Sequence, residues 1–358
     1  MSALETMQSF VYQGMPSRVV FGAGSIDHLE REIELLGAKR ALVLATPQQR
    51  AQAEALAERI GHRAAGVFAQ AVMHVPVETA REARAYAQQV GADCAIAIGG
   101  GSTTGLGKAI ALTSSLPILA VPTTYAGSEM TPIYGLTEAG LKKTGRDMRV
   151  LPKTVIYDPL LTVSLPASLS VTSGINAIAH AAEGLYAEDA NPVVSLMAEE
   201  GIRALAQGLG RVVAQPDDID ARSDCLYGAW LCGTVLGSVG MSLHHKLCHT
   251  LGGTFNLPHA ETHTIVLPHA LAYNRDAAPH AMKRIARAFG ADDAAHGAYV
   301  LARSNGAPLA LKDIGMKESD IDIAVDVALK SPYWNPRPVE RAPLRALLEA
   351  AYEGRAPA

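Results

Sequence analysis

Up to Asp158 the chain alternates short apolar runs with helix-period stretches, and beyond it the short runs stop. Arg18–Phe21 (RVVF), Ala41–Thr46 (ALVLAT), Ala95–Ile98 (AIAI), Ile118–Val121 (ILAV) and Thr154–Tyr157 (TVIY) have strand length and are bounded by Gly, Pro or charge. Gln48–Ile60 and Pro76–Val90, between the second and third runs, have helical period and composition. Strands alternating with such helices predict βαβ units and a mostly parallel sheet. From Pro166 onward the segments are Ala/Leu-rich with helical spacing, as in Ala198–Leu209, Ser223–Val235 and Ala281–Phe289. The expectation is an α/β domain over 1–158 joined to an all-helical domain over 159–358. With 49% hydrophobic residues, 358 residues suffice for two such cores.

Two loops follow strand-like runs. Ala95–Ser102 reads AIAIGGGS and continues TTGLGKAIALT, so a strand enters three glycines and then a helix. Glycine allows close backbone approach, and a helix N-terminus offers unpaired N–H groups to a phosphate. The glycines are contiguous, unlike G-x-G-x-x-G, and no G-K-[ST] follows; the alternative is an ordinary tight strand–helix turn. Pro122–Thr131 reads PTTYAGSEMT and sets hydroxyls at the next strand's carboxyl end, where open α/β sheets bind ligands. Two polar loops from successive strands point to a dinucleotide and a Rossmann-like N-terminal domain.

The stretch HHKLCHTLGGTFNLPHAETHTIVLPH, His244–His269, holds six of twelve histidines. His245 and His249 lie four apart, as do Asn176 and His180 in SGINAIAHAAEG, so each pair shares a helix face. His259 follows ten residues beyond His249. These groups point to one site for metal, proton transfer or polar recognition. His244, His263 and His269 read equally well as surface or capping residues.

A net charge of −4 argues against a nucleic-acid surface. The four cysteines form no C-x-x-C pair, the N-terminus has no signal-peptide pattern, and no long uncharged apolar run suggests a membrane span. A soluble, cytoplasmic protein with neither nucleic-acid nor membrane partner is expected.

In combination and order, GGGSTTGLGKAIAL, PTTYAGSEMT, the K-x₄-D-x₄-P run at Lys142–Pro152, SGINAIAHAAEGLYA and HHKLCHTLGGTFNLPH resemble the iron-type alcohol dehydrogenases, most closely their maleylacetate reductase branch. The resemblance covers nearly the whole chain. It implies a dinucleotide-binding domain, a helical domain and an active site in the cleft between them. It implies that Gly99, Gly100, Gly101 and Ser102 hold the pyrophosphate, that Thr123, Thr124 and Ser128 form a second cofactor loop, and that Lys142, or neighbouring Lys143, contacts the cofactor. The family's metal positions map to Asn176, His180, His245 and His259, and its extra, non-ligand histidine to His249.

Three departures stand out. Asn176 replaces the family's Asp, and a neutral amide is a weaker ligand than a carboxylate; a degenerate, metal-independent site is expected, although three histidines are enough to hold zinc. Gly105 replaces the Asp that dehydrogenase members carry after GGGS-x-x. Thr46 stands where NAD-specific relatives place an Asp that binds the ribose 2′-OH, so NADH or NADPH is expected to serve. The branch implies reduction of a small dicarboxylate, maleylacetate, to 3-oxoadipate. His180, His245, His249 and His259 are then the expected catalytic residues, Asn176, Lys246 and Tyr125 the expected substrate contacts, and a homodimer the expected assembly. The rivals are a metal-dependent alcohol or polyol dehydrogenase and a zinc hydrolase, the latter lacking a nearby H-E-x-x-H.

Overall fold

The computed structural model describes residues 10–15, 17–138, 141–330 and 333–358, and only the backbone at Leu141 and Lys142. Its strands are β1 (Arg18–Phe21), β2 (Ala41–Leu44), β3 (Ala64–Phe68), β4 (Cys94–Gly99), β5 (Ile118–Pro122), β6 (Ile133–Glu138), β7 (Leu141–Arg146) and β8 (Thr154–Tyr157). Six make one sheet in the order β1-β8-β5-β4-β2-β3, every neighbouring pair parallel. The other two form an antiparallel hairpin. All five expected strands are present. The edge strand β3, which contains Gly66, and the polar hairpin carry no such signal in the sequence.

Side-chain alternation explains the layering. Val43, Ile96 and Ile98 pack with Leu29 and Ile33 of helix α1 (Leu29–Leu35) and Leu56 and Ile60 of helix α2 (Arg50–Ile60). Leu42, Leu44 and Ala95 point the other way, onto helices α3 (Val77–Gln89) and α4 (Gly101–Ser114). Both faces are covered, as a parallel sheet requires.

After β8 the regular structure is helical: α5 (Ala167–Leu185), α6 (Pro192–Ala214), α7 (Ile219–Ser238), α8 (Leu243–Phe255), α9 (His259–Asn274), α10 (Pro279–Phe289), α11 (Ala294–Ser304), α12 (Asp320–Leu329) and α13 (Arg341–Glu353). Helix α5 is buried along all of Ser170–Leu185. One core runs from Ala120 and Val155 of the sheet into Val171, Ile178 and Leu205 of the helices. The loop after β5 meets α7 backbone to backbone: a Cβ on Gly233 would lie 2.5 Å from the Gly127 carbonyl oxygen. This close approach fixes the sheet's carboxyl edge against the helices. Among the described residues no single helix is long and apolar enough to cross a membrane.

Candidate active site

Helix α5 carries Asn176, His180 and Glu183 on successive turns, and all three are buried. Glu183 sits at the start of α8, where its carboxylate accepts the backbone N–H groups of Ser242 (2.8 Å), His244 (2.7 Å) and His245 (3.4 Å). A helix N-terminus favours such an anion. The same carboxylate accepts from His245 Nδ1 at 2.7 Å.

The chain continues to His180, whose Nδ1 lies 2.7 Å from His245 Nε2 and whose Nε2 lies 3.3 Å from the Ala126 carbonyl oxygen. Its proton positions follow from what each end can do. Glu183 only accepts, so His245 donates from Nδ1. The Ala126 carbonyl only accepts, so His180 carries its proton on Nε2. His180 Nδ1 is then a lone pair, and the short contact is satisfied when His245 also donates from Nε2. The arrangement therefore suits a His245 held on Glu183 and aimed at a neutral His180. Burial, then the neighbouring imidazoles of His245 and His259, holds His180 well below the ordinary histidine range.

A second layer lies behind this pair. His244 Nε2 and His263 Nδ1 are 2.9 Å apart, with Cys248 Sγ 3.6 Å from His244 Nε2. Burial first, then surrounding histidines, keeps both imidazoles well below their usual range. His263 is the hub, its ring centroid 4.4 Å from His259, 4.8 Å from His244 and 5.0 Å from His245. The surface or capping alternative for His244, His263 and His269 is corrected: all three are buried.

The four expected catalytic histidines come together. His180 and His245 have ring centroids 4.9 Å apart, His249 lies 6.2 Å from His245, and His259 joins through His263. His180 and His245 form a buried floor, while half-buried His259 and exposed His249 form the rim. The expected substrate contacts scatter. Tyr125 is fully buried and its hydroxyl accepts from Arg222 at 3.2 Å, which corrects its assignment to substrate. Lys246 points at the Tyr333 ring, 5.4 Å from its centroid. Asn176 remains in the site, its Oδ1 buried and making no hydrogen bond among the described residues.

The glycine loop ends β4 at Gly99, whose φ of 146° is open to glycine, and α4 starts at Gly101. Thr123 N–H donates to the Gly99 carbonyl at 3.1 Å, tying the two expected cofactor loops together. Gly100 packs on Thr124, and Ser102 lies half-buried in the first turn of α4. Thr46 follows β2 at the same edge, and the Lys142 side chain lies outside the described residues. Lys108 of α4, missed in the sequence, is buried and donates to the carbonyls of Ser128 (2.7 Å), Thr131 (2.8 Å) and Ile133 (2.7 Å). Burial brings its ammonium down to about 7, with Glu129 opposing. A charge inside the apolar run GLGKAIAL was the available signal. At Gly105 a Cβ would lie 2.7 Å from Val75 Cγ2. Val75 and His74 both have positive φ (46° and 66°), and Thr137 clamps them by bonds to the Val75 carbonyl (3.1 Å) and the His74 carbonyl (2.8 Å).

Comparison with known proteins meets this geometry. The "Iron-containing alcohol dehydrogenase" family model matches residues 16–159, and the "Fe-containing alcohol dehydrogenase family, C-terminal" model matches 170–352. This chain belongs to the iron-containing alcohol dehydrogenase family. A maleylacetate reductase of Burkholderia cepacia is 63% identical over 97% of this chain and 99% of its own length. The crystal structure of maleylacetate reductase from Rhizobium sp. strain MTP-10005 superposes with a TM-score of 0.95 at 54% identity, covering 98% of this chain and 100% of the other. An iron-containing alcohol dehydrogenase from Corynebacterium glutamicum gives 0.92 at 49% identity, covering 96% and 97%.

The iron-containing family name raises the fit of a metal to these residues. One of the four mapped positions is a neutral amide. Two others, His180 and His245, direct nitrogens at each other at 2.7 Å, closer than two nitrogens bound to one tetrahedral ion at roughly 2.0–2.1 Å from each would stand. His180 and His245 would have to separate before both could bind one ion.

Proposed function

We propose that this chain is a maleylacetate reductase that uses NADH or NADPH to saturate the C=C bond of maleylacetate, giving 3-oxoadipate, and that it does so without a metal ion. The observation that carries the reading is the Glu183–His245–His180 chain, supported by full-length similarity to maleylacetate reductases.

Maleylacetate is an enone between two carboxylates. Bound along the Gly99–Ser102 and Thr123–Ser128 loops, the nicotinamide cofactor supplies a hydride to the alkene carbon β to the ketone. The electron pair displaced from the C=C bond moves onto the ketone oxygen, and the resulting enolate needs hydrogen-bond donors. His245 is that donor when substrate binds and its Nε2–H turns from His180 Nδ1 to the enolate oxygen, while Glu183 keeps hold of Nδ1. His249 at the exposed rim delivers the proton that closes the α-carbon. Asn176 suits this substrate, because a carboxylate at that position would repel a dianion.

The test is NADH consumption with maleylacetate by protein exhaustively treated with EDTA and checked for residual metal. Full turnover is the expected result. Activity that vanishes and returns with zinc or iron overturns the metal-free mechanism. Turnover of alcohols alone overturns the substrate and supports a dehydrogenase.

A further inference from the structure

Gln49 touches residues at the ends of three neighbouring strands. It closes the short 3-10 turn Pro47–Gln49 between β2 and α2 and is half-buried. Its Nε2 donates to Thr123 Oγ1 at 3.0 Å and to Gln52 Oε1 at 3.2 Å, while its Oε1 accepts from Thr46 Oγ1 at 3.4 Å. A Cβ on Gly99 would come within 2.8 Å of the same Oε1, so this amide occupies space above the glycine loop. Thr46 follows β2, Gly99 ends β4 and Thr123 follows β5, and these strands are adjacent in the sheet. The chain leaves β2 for the edge strand β3 and returns on the other side of β2 as β4. The strand order therefore reverses between β2 and β4, where open parallel sheets bind nucleotides. Gln49 stands over that crevice.

We propose that Gln49 reads the 2′ position of the cofactor's adenosine ribose, and that its neutral amide is what lets one site take both NADH and NADPH. This rests on the nicotinamide reading above. An acid at the end of β2 would accept from a 2′-hydroxyl and repel a 2′-phosphate; Thr46 carries no charge to do the second. Once its contact with Gln52 is given up, the Gln49 amide offers both polarities, Oε1 to accept from a hydroxyl and Nε2 to donate to a phosphate oxygen. A carboxylate in its place keeps the acceptor, loses the donor and adds repulsion against the phosphate alone, which is specificity by an introduced clash of charge. Arg50, the next residue, is solvent-exposed and lies 3.6 Å from Glu54.

The experiment compares wild type, Gln49→Glu and Gln49→Ala. Each is titrated with NADH and with NADPH by cofactor fluorescence in the absence of substrate, and KM is then measured for both cofactors. The readout is the NADPH-to-NADH ratio of Kd and of KM, which a general loosening of the loop leaves unchanged. Gln49→Glu is expected to raise both ratios by roughly tenfold or more, the size of a single like-charge contact in a partly solvated cleft. Gln49→Ala is expected to weaken both cofactors together, by less than tenfold. A ratio within twofold of wild type in Gln49→Glu overturns the role of Gln49. Wild-type protein that binds neither cofactor overturns the nicotinamide reading, and this role with it.

Discussion

Replacing Glu183 with Gln changes one oxygen for an NH2 group at almost constant shape. The carboxylate accepts four hydrogen bonds, three from backbone N–H groups and one from His245 Nδ1. If the remaining oxygen takes the Oε2 place, it keeps Ser242 and His245, and the new NH2 meets the His244 N–H donor to donor. A lost bond to a charged group together with a stranded buried donor costs about 2–3 kcal/mol of stability. The catalytic effect is separate. Without the anion, His245 loses the charged acceptor that holds and polarises its ring, and it donates more weakly to the enolate. Charge-assisted hydrogen bonds are about twice as strong as neutral ones, and complete removal of an oxyanion donor costs about 10²–10³ in turnover. Glu183→Gln keeps the donor and loses the charged acceptor behind it, so kcat is expected to fall about 10- to 100-fold with the KM for NADH little changed. Steady-state NADH oxidation with maleylacetate, on protein whose thermal unfolding is still cooperative, measures it. A kcat within twofold of wild type would refute the role given to the Glu183–His245 pair. A raised cofactor KM at constant kcat would instead move Glu183 to a purely structural role.

Burial brings His269 down to about 4 from an unfolded value near 6.5, so the unfolded chain binds the extra proton first as pH falls. Stability should be complete above about 6.5 and drop by about 3 kcal/mol as pH falls to about 4; His269→Gln should flatten that slope in denaturant midpoints measured across this range. His180, His244 and His263 are displaced in the same direction and should leave part of the slope in that variant. Lys108→Met strands three carbonyls, at Ser128, Thr131 and Ile133, and should cost about 3 kcal/mol or more while weakening NADH binding. An unchanged unfolding midpoint would show that the loop does not depend on that ammonium.

The strongly periodic parts of the chain were legible. TVIY and ILAV become fully buried central strands because their apolar side chains serve both faces of the sheet. AAGVF did not signal a strand: it is short, it contains a glycine, and Gly66 is needed where a Cβ would lie 2.7 Å from the Tyr86 hydroxyl. LKKTGR reads as surface because its register with Ile133–Glu138 is a tertiary fact. In the site, helical spacing was enough to align Asn176 with His180 and His245 with His249. The same four-residue spacing links His259 to His263, and applying it once more would have found the hub. Glu183 was hidden for another reason. Its partners lie 59 to 62 residues away, and no local pattern announces a carboxylate that caps a distant helix.

The crowding of Val75 over Gly105 sets apart the two positions, 105 and 176, where the family resemblance expects an acid. Asn176→Asp exchanges one atom for another of nearly equal size, so a single substitution restores the acid. Gly105→Asp has no such path while Val75 stands 2.7 Å from the place its Cβ must take. Val75 is β-branched and stiff, and its left-handed corner is held from the far side by Thr137. The corner would have to unbend before the acid could enter. An acid at 105 therefore requires at least two coordinated changes, the first of which disrupts a clamped strand contact with no carboxylate yet in place.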